Sequence, residues 1–156
     1  MSKVASMIER SYLRIYEFNE IAGNLNNVDE YSVDNQLSYI YEELAETISA
    51  FEKQDSIELL DGAVDIFVTS VGLLQKLEAA GFNVAEAMNR VDLNNLAKFP
   101  KNTDSIQYDA SYIKTFNEKY GRYVLKDSSS KVRKYANFPK VDLSDCINKE
   151  FFKETT

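Results

Sequence analysis

The chain has 156 residues, 44% of them hydrophobic, with a formal net charge of −7. That length suits one domain with a real core, and the acidic balance disfavours duplex nucleic acid and anionic membrane surfaces as partners. Histidine is absent and the five glycines are scattered, which excludes Ser-His-Asp and Cys-His catalysis, histidine metal sites, a P-loop and a dinucleotide fingerprint. Cys146 is the single cysteine, so no internal disulfide forms, and a reducing, cytoplasmic compartment is expected.

Residues 3 to about 22 are charged throughout, unlike a signal peptide. They read as a first helix with Val4, Ile8, Ile15 and Phe18 on related faces, stopped by Gly23. A polar connection leads to a second helix over about 32–53, where Leu37, Ile40, Leu44, Ile48 and Phe51 make the expected core stripe. A third helix over about 55–80 is apolar around most of its circumference, which suits a central position, and Gly81 ends it. Asn83 and Glu86 have capping-box spacing for a fourth helix to about Ala97. Residues 109–120 read as a short helix. Tyr123–Lys126 and Lys131–Tyr135 read as a hairpin around a Ser-rich turn, and "VDLSDCINKEFF" as a last helical segment. No window reaches a membrane span.

The third helix carries a polar seam. Glu58, Asp61 and Asp65 fall within about 60° of one another on a helix, and Thr69 and Gly72 continue the line. Unpaired burial of such carboxylates is costly and their repulsion raises their pKa values, so something positive should face them. Surface lysines could supply it. So could a hard cation, Mg²⁺ or Mn²⁺, shared with Glu43 and Glu46 of the second helix. Taken alone, Glu42, Glu43 and Glu46 fit a solvated face equally well.

"EELAE" (Glu42–Glu46) followed by "ELLD" (Glu58–Asp61) resembles the EExxE…ExxD signature of the all-α nucleoside triphosphate pyrophosphohydrolases, a superfamily that includes the MazG-like enzymes. "VDLNNLAKFP" looks like that family's Asn-x-x-Lys element, with Asn95 and Lys98. "EFNEIAGN" and "DGAVDIFVTSVGLL" look most like the short, phage-type MazG-like proteins. Two registers compete: the literal match uses Glu58 and Asp61, whereas the spacing to Asn95 uses Asp61 and Asp65 and leaves Gly62 where the family has an acid.

The resemblance implies an all-α, four-helix-bundle-like fold with a small C-terminal hairpin, 1–100 forming the helical core and 101–156 an extension. It implies a homodimer or homotetramer in the cytoplasm, the host's if phage-encoded. The reaction it implies is Mg²⁺-dependent cleavage of a nucleoside triphosphate to monophosphate and pyrophosphate. The metal ligands would be Glu43, Glu46, Glu58, Asp61 and Asp65, with Glu42, Glu43 and Glu46 catalytic and Glu42 or Glu46 orienting the attacking water. Asn95 and Lys98 would contact phosphate or sugar, and Asn19 and Gln36, beside Phe18, the base. Lys126, Lys131, Arg133 and Lys134 form a basic cluster that could fold over the triphosphate or stay solvated. Alternatives are the same site acting on an alarmone or modified nucleotide, and a non-catalytic helical interaction protein.

Overall fold

A computed structural model describes residues 3–152. The elements in chain order are helices α1 (Lys3–Ile21), α2 (Glu30–Glu52), α3 (Ser56–Ala79) and α4 (Val84–Ala97), then strands β1 (Ile113–Asn117) and β2 (Arg122–Lys126). The protein is thus mostly helical with one two-stranded antiparallel sheet. Among the described residues no helix is long and apolar enough to cross a membrane.

Local chemistry sets the helix ends. Gly23, at φ +73°, turns the chain out of α1, and the Asn24 amide closes the end on the Asn19 carbonyl at 2.9 Å. A β-carbon is strained in that backbone region, which explains the glycine. Asp29 caps α2 reciprocally: its carboxylate accepts from the Ser32 amide at 2.9 Å, and Ser32 Oγ accepts from the Asp29 amide at 2.9 Å. Asp55 caps α3 by accepting from the amides of Ile57 and Glu58. Gly81, at φ +88°, ends the run after α3.

The chain forms two compact units, one of residues 3–84 with 147–152 and one of Ala85–Cys146. In the first, α2 and α3 are joined by a three-residue connection and pack as a helical hairpin, and α1 packs on α3. The returning segment is held by Asn148, which donates to the Ala80 carbonyl at 2.7 Å, and by an edge-to-face contact between Phe82 and Phe151. Gly62 sets the α2–α3 approach, because a β-carbon there would collide with Thr47 Oγ1. Any side chain at this position would therefore have to displace Thr47.

Burial does not follow apolar periodicity, and the core stripe expected on α2 is corrected. On α1 only Ile15 and Asn19 are buried, and Val4, Ile8 and Phe18 are exposed. On α2 the face toward α3 carries Gln36 and Ala50, both buried, and half-buried Ile40, Glu43 and Thr47. Leu37, Leu44, Ile48 and Phe51 lie outside, each 45–69% exposed.

In the second unit β2 pairs with β1, Thr115 opposite Val124, through a turn that Gly121 closes at φ +60°. Three expectations fail here. Residues 109–120 are not helical but contain β1, 131–135 contribute only the single bridge Lys126–Val132, and the "VDLSDCINKEFF" segment folds as turns. The Ser-rich stretch is a loop wrapped on Asp127, whose carboxylate accepts from the amides of Ser129 and Lys131, from Ser129 Oγ and from Arg133 Nε. Those donors, the Ser129 hydroxyl first, bring the Asp127 pKa down to about 2. Leu125 is fully buried. Arg90 ties α4 to Asp145, with Nη2 to Oδ2 at 2.9 Å, and to Glu86 at 2.8 Å.

Candidate functional site

Residues at helical steps on three elements meet in one cavity of about 580 Å³, a size that suits a small-molecule ligand. Its lining includes Phe18 and Asn19 of α1, Tyr31, Gln36, Tyr39 and Glu43 of α2, and Thr69, Gly72 and Lys76 of α3. All belong to the first unit.

A carboxamide network fixes one wall. Asn19 Nδ2 donates to Gln75 Oε1 at 2.9 Å, Gln75 Nε2 donates to the Tyr12 carbonyl at 3.0 Å, and Asn24 Nδ2 donates to Asn19 Oδ1 at 3.0 Å. Gln75 is 1% exposed, so its polar atoms must be matched within the protein, and they are. Asn19 therefore lines the cavity as a bracket whose oxygen is already engaged. Gln36 Nε2 donates to the Thr69 carbonyl at 2.8 Å. Gly72 makes room for that carboxamide: a β-carbon there would lie 3.0 Å from Gln36 Nε2.

Glu43 stands where this cavity meets the acidic seam. Burial first, then the charges of Asp65, Glu46, Glu42 and Asp61, push its carboxyl above the ordinary value. Two helices thus bring five carboxylates within interaction range of one another. Glu58 is not one of the groups acting on Glu43. It lines a separate hollow with Glu46, Ser49, Ala50, Lys53 and Asp55.

No ion pair reaches Glu42, Glu43, Glu46, Glu58, Asp61 or Asp65; the ion pairs among the described residues are Arg90 with Glu86 and Asp145, and Arg133 with Asp127. Among the described residues no lysine is ion-paired with the seam, and Lys53 is the lysine that shares a hollow with Glu46 and Glu58. The seam's oxygen-only donors match the preference of a hard divalent cation. Among the described residues no three acidic or thiol side chains are already drawn into an ion-holding cluster.

The remaining expected contacts lie in the second unit. Lys98 Nζ donates to Asn95 Oδ1 at 2.8 Å, so these two bind each other. Arg133 is taken by Asp127 at 2.7 Å, and Lys134 lies over the Phe138 ring at 5.0 Å. Lys126 is on β2, whereas Lys131 and Lys134 lie outside the hairpin expected to carry them.

Sequence reasoning missed Lys76, which is 5% exposed. The signal was present: the seam through Asp65, Thr69 and Gly72 reaches Lys76 at the next four-residue step. Comparison with known proteins finds no matching family model, no matching curated protein and no matching solved structure.

Proposed function

We propose that the protein is a Mg²⁺-dependent nucleoside triphosphate pyrophosphohydrolase of the all-α, MazG-like kind, releasing a nucleoside monophosphate and pyrophosphate. The observation that carries this reading is the position of Glu43, shared between a nucleoside-sized cavity and a carboxylate cluster that makes no ion pair among the described residues. With Glu58 beside the set, in the hollow it shares with Glu46, Glu43, Glu46, Asp61 and Asp65 would hold the metal. A divalent ion bound there supplies charge neutralisation for the phosphate oxygens. Glu42 or Glu46 orients the attacking water and accepts its proton. The ring faces of Phe18, Tyr31 and Tyr39 offer stacking surface for a base.

A second copy of the chain completes the assembly in this reading. On α2 the side chains of Leu37, Tyr41, Leu44, Ile48 and Phe51 repeat at alternating four- and three-residue steps, each 45–74% exposed. On α3 Ile57, Leu60 and Val64 begin a second such seam and are exposed as well. Two adjacent seams of heptad spacing suit knobs-into-holes packing against an identical helical pair.

The test is a panel of ribo- and deoxynucleoside triphosphates with Mg²⁺, read by product analysis. Monophosphate and pyrophosphate are the expected products. Orthophosphate with a diphosphate contradicts the assigned bond, and inactivity across the panel points to the non-catalytic interaction protein instead.

A further inference from the structure

Lys76 is a buried cation without a carboxylate. Its ammonium group donates to the Ser32 carbonyl at 3.0 Å, and among the described residues no ion pair reaches it. Burial pushes its pKa down. A methionine would fill the same volume without the desolvation penalty of a charge. One carbonyl uses one of the three ammonium hydrogens, which leaves two donors on a side chain that lines the cavity.

Gln36 has a complementary vacancy of bonding. Its Nε2 is committed to the Thr69 carbonyl, while its Oε1 accepts from no group among the described residues. Every fully buried side-chain nitrogen and oxygen among the described residues has a partner, so an Oε1 without one is reachable from open space. Gln36 lines the cavity, as Lys76 does. The carboxamide cannot simply rotate to exchange its ends, because the rotated form would set Oε1 against the Thr69 carbonyl, acceptor against acceptor.

We propose that Lys76 and Gln36 read the lactam edge of a nucleobase, so that the cavity selects oxo bases (uracil, thymine, guanine, hypoxanthine) over cytosine and adenine. The inference rests on the nucleotide-hydrolase reading and narrows its substrate class. A lactam edge sets a carbonyl acceptor beside a ring N–H donor. The carbonyl meets the Lys76 ammonium and the N–H meets Gln36 Oε1. Cytosine and adenine reverse the order: their amino group faces the ammonium and their ring nitrogen faces Oε1, so both contacts become repulsive. Asn19, held by Gln75 and Asn24, is a positioning residue for this wall, and Gly72 leaves the space in which Gln36 sits.

The test is titration calorimetry of the full chain with uridine, inosine, cytidine and adenosine in metal-free buffer, where neither phosphate nor catalysis contributes. Uridine and inosine should bind about tenfold or more tightly than cytidine and adenosine. Lys76→Met should bring the two classes to within about twofold, and Lys76→Arg should restore part of the preference. A role confined to holding the Ser32 carbonyl would weaken all four nucleosides alike and would overturn the proposal. Equal affinities in the wild-type protein, or no nucleoside binding at millimolar concentration, overturn it without any variant. Displacement of uridine by inorganic pyrophosphate in metal-free buffer, lost in Lys76→Met, would make Lys76 a phosphate contact and also overturn it. Triphosphate hydrolysis without base preference sinks this proposal alone. Oxo-base selectivity in a protein that hydrolyses no triphosphate sinks the catalytic reading alone.

Discussion

Glu43 concentrates the electrostatics of the site, and its pKa shift has a definite sign. Its ordinary value is 4.5 and the folded value is higher, so the folded state holds the proton more tightly than the unfolded chain does. That contribution to stability is fully present below about pH 4.5 and is lost as pH rises through the raised value. Glu43→Gln should therefore raise the metal-free Tm at pH 7 by about 1–3 °C and leave it nearly unchanged at pH 4, measured by thermal scans. Added Mg²⁺ should raise the Tm of the wild-type protein more than that of the variant. Asp65→Asn should lower triphosphate turnover by about a hundredfold or more while the circular dichroism spectrum stays that of the folded protein. Full activity in that variant would remove Asp65 from the ligand set.

At the scale of elements, the close crossing of α2 and α3 depends on Gly62. Alanine is normally the better helix former by about 1 kcal/mol, but here its β-carbon would enter the space of Thr47 Oγ1. The collision outweighs propensity, and Gly62→Ala should destabilise by roughly 1–3 kcal/mol in urea unfolding. Combining it with Thr47→Ala should recover part of the loss, since Thr47 Cβ and Cα, 3.2 and 3.3 Å from the added β-carbon, remain; no recovery would remove Oγ1 as the source of the strain. The helices themselves were legible in sequence to within about two residues, because their signals are local: glycine stops at 23 and 81 and a period of 3.6. The hairpin was legible only in part. Tyr123–Lys126 reads as a strand, but pairing is decided between segments, and the turn at Gly121 selects 113–117 whereas Asp127 gathers 128–133 into a loop.

At the scale of the whole molecule, the apolar seams of α2 and α3 predict the oligomeric state. Light scattering should give a particle of at least twice the 17.8 kDa chain mass, and Leu44→Glu with Ile48→Glu should shift it to the monomer and lower its Tm. A wild-type monomer would contradict the reading of these faces. The same faces show why the core was misassigned. Periodicity marks the apolar side of a helix without saying whether that side meets the same chain or another, and α2 turns Gln36, Glu43 and Thr47 toward α3 instead of its leucine stripe.

The amino-acid sequence by itself determined the four helices, the acidic seam on the third and the exclusion of histidine and P-loop chemistry, since these follow from composition and from spacing along one element. Only the tertiary structure decided that Glu43 borders a cavity, that Glu58 shares a hollow with Glu46, and that Lys76 and Gln36 line that cavity with donors and an acceptor to spare. Those are relations between elements, fixed by how closely helices approach, and a glycine that lets them approach carries no chemical signature of its own.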